Sequence, residues 1–184
     1  MAKNILVITG SARADGNGSE LAKTFIAGAR SSGNAVRRFD AATKIIHPCR
    51  GCENCWSKGR PCIVDDAFNS LAPYLQVSDI LVLVSPLYWS GLSASIKLIT
   101  EKMVAYTLPN RKKNLRIKEA ILLGVGATDK VEDFDLMKAE FNRLCEVFDW
   151  KNGGVVVATG VKDPGDIDKN VALQEAENLG KAIQ

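Results

Sequence analysis

The amino-acid sequence predicts an α/β fold in which helices cover both faces of a parallel sheet. Buried-strand patterns and amphipathic-helix patterns alternate along the chain, which is typical of parallel strands joined by crossover helices. The chain has 184 residues, of which 46% are hydrophobic and 24% are charged. This length and composition suit a single domain, residues 1–184, with a full hydrophobic core.

The first half of the chain predicts two strands and the helix between them. The run over residues 3–8 predicts a strand that is buried on both faces. Asn17, followed by Glu20 three residues later, resembles a capping box and predicts a helix start. Residues 35–40 predict a shorter and more polar strand at a sheet edge. The irregular, cysteine-rich loop over residues 41–64 follows, and a segment of this kind in a compact domain is usually functional.

The second half continues the alternation. Asp65 and Asp66 favour a helix N-terminus, because carboxylates interact with its positive end. Pro73 lies inside the helical pattern that follows and predicts a kink or a break. Further strands are predicted at residues 79–84, 120–125 and 155–157, with an amphipathic helix after each. The result is a five-stranded, doubly wound sheet, which binds its ligand beyond the carboxyl ends of the strands.

The charge and the apolar segments argue against two classes of partner. The net charge of +3 is too small to indicate a nucleic-acid partner. The apolar run over residues 5–8 is too short for a signal peptide or a membrane span. We therefore expect a cytoplasmic protein with no nucleic-acid and no membrane partner.

The loop over residues 10–19 has the composition of an anion-binding loop. Its glycines let the backbone approach an anion, and the N–H groups of the next helix point at that anion. The loop matches neither the Walker A motif nor the glycine motif of dinucleotide-binding folds. We predict a phosphate site, and the alternative is a glycine-rich turn without a ligand. The predicted phosphate-binding residues are Ser11, Arg13, Asn17, Gly18 and Ser19.

Two adjacent aromatic residues occupy the loop after the strand at residues 79–84. Beside a planar isoalloxazine ring they would form a stacking surface, while a hydroxyl and backbone N–H groups would reach ring heteroatoms. The alternative is that Trp89 covers the helix that follows. The predicted ring-binding residues are Pro86, Leu87, Tyr88, Trp89 and Ser90.

Four of the five cysteines form the run C-x2-C-x2-C-x6-C. In a reducing compartment, such a run indicates metal binding or redox chemistry rather than structural disulfides. Two-residue spacing lets one loop present three thiolates to three corners of an iron–sulfur cube, and a fourth thiolate completes the set. Three interpretations stay open: a [4Fe–4S] cluster, thiols without metal, and a zinc site. The candidate ligands are Cys49, Cys52, Cys55 and Cys62.

Together, the two loops resemble those of the NADPH-dependent FMN reductase family of flavodoxin-like proteins. The first resembles the family's Gly-Ser-Pro-Arg-x-x-Gly-Asn-Thr signature, and the second resembles its Pro-x-Tyr-Trp-Gly/Ser loop. The cysteine spacing resembles that of iron–sulfur flavoproteins, a branch of the same superfamily. The chain departs from the signature at Ala12, where proline is usual, and at Gly18, where a threonine touches phosphate. Ser19 would then have to replace that threonine.

The resemblance implies a flavodoxin-like fold, bound FMN, NADH or NADPH as the reductant, and a homo-oligomer. It predicts an FMN-dependent NAD(P)H oxidoreductase that passes electrons to a flavin, a quinone or another small-molecule acceptor. Because the cofactor supplies the chemistry, we assign no general acid or base. Two alternatives are an iron–sulfur flavoprotein, which carries electrons between FMN and a [4Fe–4S] cluster, and a non-enzymatic flavin carrier.

Overall fold

A computed structural model describes residues 2–184. The strands and helices, in chain order, are β1 (Asn4–Thr9), α1 (Asn17–Ser31), β2 (Ala35–Asp40), α2 (Ala67–Val77), β3 (Ile80–Pro86), α3 (Ala94–Lys102), β4 (Glu119–Val125), α4 (Asp135–Phe148), β5 (Lys151–Ala158) and α5 (Val171–Lys181). The strands form one parallel sheet in the order β2-β1-β3-β4-β5. This is the strand order of flavodoxin-like folds, and the predicted five-stranded, doubly wound sheet is confirmed.

Both faces of the sheet are buried under helices. Along β1, Ile5 and Val7 pack toward α1 and α5, whereas Leu6 and Ile8 pack toward α2, α3 and α4. This alternation follows from the two-residue repeat of a strand, and burial on both faces explains the continuous apolar run. None of the helices in residues 2–184 combines the length and the apolar character of a membrane span.

The start of α1 differs from the prediction. Gly16 is the N-cap, no side chain caps the helix, and Asn17 is the first helical residue. Asn17 Nδ2 donates to Asp163 O at 3.0 Å, and Asn17 Oδ1 accepts from Ile167 N at 3.3 Å. The predicted capping box is therefore wrong, because the amide of Asn17 binds the backbone of the distant loop after β5.

Helix α2 agrees with one prediction and contradicts another. The Asp66 carboxylate caps the helix by accepting from Phe68 N at 3.0 Å, as expected from the acidic pair. The helix then runs through Pro73, although a proline removes one backbone hydrogen bond. Leu71 and Leu75 are fully buried on either side of it, and their packing against the sheet keeps the helix continuous. Of the predicted kink or break, the break is absent.

Candidate active site

Two loops meet beyond the carboxyl ends of β1 and β3, where the strand order of the sheet reverses. Buried hydroxyls join these loops: Ser93 N donates to Ser85 Oγ at 2.9 Å, and Ser93 Oγ donates to Gly10 O at 3.1 Å. A Cβ atom at position 10 would lie 2.2 Å from Ser93 Oγ, so this contact requires glycine. The start of α1 and the loop after β3 are thereby held side by side.

The loop between β1 and α1 presents donors that have no partner within the chain. In residues 2–184, the N–H groups of Asn17 and Gly18 have no hydrogen-bond acceptor, since the first N–H groups of a helix lack an intrahelical partner. The first helical hydrogen bonds are those that Ser19 N and Glu20 N donate to Gly16 O. Arg13 Nη1 donates to Lys162 O at 3.0 Å, which leaves its other guanidinium N–H groups free. Unpaired N–H groups at a helix N-terminus, with a guanidinium beside them, are typical of an anion-binding site.

Two predicted phosphate residues use their side chains to brace this loop. Asn17 binds the loop after β5, and Ser19 Oγ accepts from Arg38 Nη2 at 3.0 Å. Asp40 holds Arg38 by accepting from its Nε at 2.7 Å, and it also accepts from Thr9 Oγ1 at 2.6 Å. Burial alone would raise the pKa of Asp40, but these two hydrogen bonds, together with the positive charges of Arg38 and Lys44, keep the pKa below its ordinary value. The end of β1 is thus fixed relative to the first turn of α1.

A small cavity of about 180 Å³ lies between these loops, and we call it the switch-point cavity. Seven of the ten residues predicted for phosphate and ring line it: Ser11, Arg13, Asn17, Gly18, Pro86, Leu87 and Tyr88. Ser19, Trp89 and Ser90 do not line it. Small-molecule sites usually enclose about 300–1,000 Å³, so a cofactor would lie partly in this cavity and partly over the open surface beside it.

Six further residues line the cavity, and three of them, Gly126, Val161 and Lys162, lie in other loops and were not among the predicted site residues. They belong to the loops after β4 and β5, and their position beyond the carboxyl ends of those strands was the available signal. Asp166 shapes the second of these loops by accepting from Lys162 N at 2.9 Å and from Asp163 N at 2.7 Å. These two backbone hydrogen bonds lower the pKa of Asp166.

The aromatic loop forms a tight, strained turn. Tyr88 and Gly91 pair through both backbone groups, and the two residues between them have positive φ angles, 49° for Trp89 and 64° for Ser90. This geometry is that of a type I′ turn, in which glycine and asparagine are preferred. Trp89 is fully exposed, so it does not cover α3, and Tyr88 is 56% exposed. A strained turn that holds a tryptophan in solvent is typical of a functional surface.

Replacing Ser90 with glycine should raise the free energy of unfolding by about 0.5–1 kcal/mol, because glycine adopts a left-handed conformation without a steric penalty. Urea denaturation measures this change. Ser70→Gly is the matched control, since Ser70 is exposed inside α2 and glycine there should lower stability. Equal effects of the two substitutions would contradict the assignment of strain to the turn.

The four clustered cysteines surround a second and larger cavity. This cavity, which we call the cysteine cavity, has a volume of about 520 Å³. All four thiols line it; Cys49 and Cys52 are exposed, while Cys55 and Cys62 are half-buried. Burial raises the pKa of the Cys55 thiol, and the three neighbouring thiols raise it further. The sequence run therefore becomes a spatial cluster.

The cluster does not have the geometry of a site for one metal ion. Within residues 2–184, no group of three or more His, Cys, Asp or Glu side chains converges at metal-binding distance. A zinc ion needs four ligands around a single point, so the zinc interpretation loses its support. In a [4Fe–4S] cluster each iron takes its own thiolate, and the thiolates lie around a cavity. The four cysteines line one cavity and so provide the number and type of ligands that such a cluster takes.

Contacts with α2 and with the segment that follows α3 hold the cysteine-rich loop in place. The buried indole of Trp56 donates from Nε1 to Ala105 O at 2.7 Å and packs edge-on against Tyr106. The Asn69 side chain, in α2, accepts from Cys62 N and donates to Cys62 O, both at 3.1 Å. The cysteine cavity lies at the far end of α3 from the aromatic loop, and a helix of this length spans about 13 Å.

The fifth cysteine has a different environment. Cys145 lies on the buried face of α4, in the apolar core, and burial raises its pKa to about 11. A buried thiol with a raised pKa is unreactive, because the thiolate is the nucleophile. It provides an internal reference for experiments on the other four.

Comparisons with known proteins point to one family. The family profile described as NADPH-dependent FMN reductase matches residues 3–133. An iron–sulfur flavoprotein of Archaeoglobus fulgidus is 28% identical over 177 residues, which cover 96% of this chain and 76% of that protein. Bacillus subtilis YwqN, whose name describes an NAD(P)H-dependent FMN-containing oxidoreductase, is 27% identical over 184 residues, with 96% of each chain covered.

The comparison with solved structures agrees with the strand order. The NAD(P)H:quinone oxidoreductase from Methanothermobacter marburgensis superimposes with a TM-score of 0.70 at 17% identity, covering 98% of this chain and 96% of that one. At this identity the match establishes the fold alone. The family profile covers well over half of the chain and adds the cofactor and the type of reaction. The chain belongs to the NADPH-dependent FMN reductase family, and it is an FMN-dependent oxidoreductase that uses NAD(P)H as its reductant.

Proposed function

We propose that residues 1–184 form one FMN-binding domain whose switch-point cavity holds the cofactor's phosphate. The observation that carries this proposal is the pair of unpaired N–H groups at Asn17 and Gly18, beside Arg13 and Ser11. A phosphate dianion would accept hydrogen bonds from all four residues. Asn17 and Ser19 then contribute mainly by bracing the loop, and Gly18 contributes its backbone.

The flavin ring would lie against the loop after β3. Pro86, Leu87 and Tyr88 line the cavity, and Trp89 and Ser90 follow them in the same loop, with Trp89 fully exposed. FMN supplies the hydride chemistry when bound, so these residues orient the ring and exclude water on one side. No residue is assigned as a general acid or base.

The exposed aromatic surface also supports a homo-oligomer. Trp89 is fully exposed, and Leu136 on α4 is 68% exposed. A second copy would cover this surface and the uncovered side of the ring. Light scattering of the FMN-loaded protein tests this proposal, and a monomer at micromolar concentration would contradict it.

The electron acceptor that we propose is a small molecule of the quinone class. A ring that is reached from an open surface admits planar acceptors, and a solved structure with the same fold is a quinone oxidoreductase. We also propose a cytoplasmic location, because all five cysteines are free thiols and the cytosol keeps thiols reduced.

Purified protein with FMN should oxidise NADPH or NADH and reduce a quinone in the same assay. The panel of acceptors includes free flavin, azo and nitro compounds and oxygen, so that the acceptor class is measured. A protein that binds FMN but never oxidises either nicotinamide cofactor would be a flavin carrier, and that outcome would overturn the proposed enzyme activity.

A second candidate function uses the cysteine cavity. Four thiols lie around one cavity, and the Archaeoglobus fulgidus relative is named an iron–sulfur flavoprotein. The residues that would hold a [4Fe–4S] cluster are Cys49, Cys52, Cys55 and Cys62. Such a cluster transfers single electrons, which would connect the two-electron chemistry of the flavin to a one-electron partner.

Anaerobic reconstitution of the protein with iron and sulfide should yield about four of each per chain if the thiols hold this cluster. A broad brown absorbance should overlie the flavin bands and bleach on reduction. Cys52→Ala should abolish that absorbance while FMN stays bound, because the switch-point cavity is untouched. Cys145→Ala is the control and should retain it. Flavin absorbance alone after reconstitution would leave a reductase with metal-free thiols.

A further inference from the structure

We propose that the buried ion pair between Asp66 and Lys102 is the lock that holds the cysteine-rich loop closed over its cavity. Asp66 lies four residues after the last cysteine of the cluster, and Lys102 is the last residue of α3. Both are therefore positioning residues for the thiols. The inference goes beyond the flavin function, and it holds whichever group the thiols bind.

The Asp66 carboxylate receives three donors from three different parts of the chain. Its Oδ1 accepts from Phe68 N at 3.0 Å, at the start of α2. Its Oδ2 accepts from His47 N at 2.9 Å, at the entrance of the cysteine-rich loop, and from Lys102 Nζ. One side chain thus ties the beginning of the loop, its end and α3 together.

Burial makes this junction unusual. The side chains of Asp66 and Lys102 are 0% and 1% exposed, whereas the other ion pairs in residues 2–184 all have at least one partner with substantial exposure. A buried pair gives little net stability over an apolar pair, so its retention points to structural specificity. Here the ion pair would select the closed conformation of a loop that has no regular secondary structure.

The lock also forms part of the thiol site. Lys102 lines the cysteine cavity together with the four cysteines. The base of the loop is closed by a second contact, in which Ala67 N donates to Ile45 O at 3.1 Å. The two ends of the segment 47–66 are therefore held together by these contacts. We expect the positions of Cys55 and Cys62 relative to α3 to depend on them.

The test uses a double variant, Asp66→Asn with Lys102→Met, which removes both charges and so leaves no unpaired charge in the interior. The asparagine oxygen can still accept from Phe68 N and cap α2. Its NH2 group, which is a donor, then faces the His47 N–H, so the hydrogen bond to His47 is lost. Arg116→Met is the matched control, since it breaks the exposed ion pair with Asp79.

Alkylation by iodoacetamide is followed at each cysteine by mass spectrometry, on FMN-loaded protein without added iron. Cys55 and Cys62 should react at least tenfold faster in the double variant, and trypsin should cleave faster after Lys58. Reaction at Cys145 and the affinity for FMN should match those of the unaltered protein. Unchanged rates at Cys55 and Cys62 would overturn the proposal, and so would an equal acceleration at Cys145, which indicates general loosening.

A measurement on the unaltered protein keeps the proposal testable if the double variant does not fold. The amide hydrogen of His47 should exchange with solvent as slowly as that of Leu71, a fully buried residue of α2. Fast exchange at His47, in a molecule whose α2 is protected, would show that the loop opens without breaking the core and would overturn the lock. Neither experiment depends on FMN turnover or on iron.

Discussion

Replacing Arg13 and Ser11 together with alanine should weaken FMN binding at least tenfold and leave riboflavin binding unchanged. Hydrogen bonds to a charged group contribute about 1.5–3 kcal/mol each, and a tenfold change in affinity corresponds to about 1.4 kcal/mol. Arg13 is already oriented toward the switch-point cavity by its bond to Lys162 O at 3.0 Å. Ser11 Oγ accepts from Arg13 N at 3.2 Å, which leaves its own hydrogen for the phosphate.

Flavin fluorescence titration with FMN and with riboflavin measures both affinities on the same sample. Riboflavin lacks the phosphate, so it should bind the unaltered protein more weakly than FMN does. Arg143→Ala is the matched control, because this exposed arginine on α4 pairs with Glu146 and does not line the switch-point cavity. Equal affinities of the unaltered protein for FMN and riboflavin would refute the phosphate site, even though the chain would remain a member of its family.

Lys102→Met alone should lower the free energy of unfolding by about 3–5 kcal/mol, because it leaves the buried Asp66 carboxylate without its cation. Methionine keeps most of the lysine stem's packing, so the lost charge dominates the effect. Urea denaturation at neutral pH measures the change. Most of the loss should be recovered in the double variant with Asp66→Asn, which removes the unpaired charge as well.

The control for this prediction is again Arg116→Met, whose ion pair is exposed. Its effect should not exceed about 1 kcal/mol, as is usual for surface ion pairs. If Lys102→Met cost no more than Arg116→Met, water would have to reach Asp66, and the pair could not lock the loop. The stability measurement and the thiol measurement therefore test the same contact by independent means.

The order of secondary-structure elements and the position of the candidate site at one edge of the sheet were predictable from the sequence. Strands buried on both faces appear as continuous apolar runs, and helices show a repeat of about 3.6 residues, so both signals are local. The carboxyl ends of parallel strands meet at one edge of the sheet, which brought the loops at residues 10–19 and 85–91 together without any knowledge of contacts.

Local patterns misled where a side chain had a distant partner. Asn17 and Glu20 have the spacing of a capping box, but the amide of Asn17 binds Asp163 and Ile167, which lie about 150 residues further along the chain. Ser19 was predicted as a phosphate ligand from its type and position alone, and the structure adds a partner that the sequence did not show, because its hydroxyl accepts from Arg38 on β2. Such partners are chosen by packing, because a buried polar group must find a hydrogen bond wherever the fold provides one.

By itself, the sequence determined the fold class, the phosphate-loop composition and the cysteine spacing, since each depends on residues close together in the chain. The tertiary structure decided how these parts are held. It placed Lys162 beside the loop after β1, turned Trp89 fully into solvent, and set Lys102 against Asp66. The physical reason is that burial of a charge or the geometry of a cavity depends on all surrounding elements at once, and no local pattern contains that information.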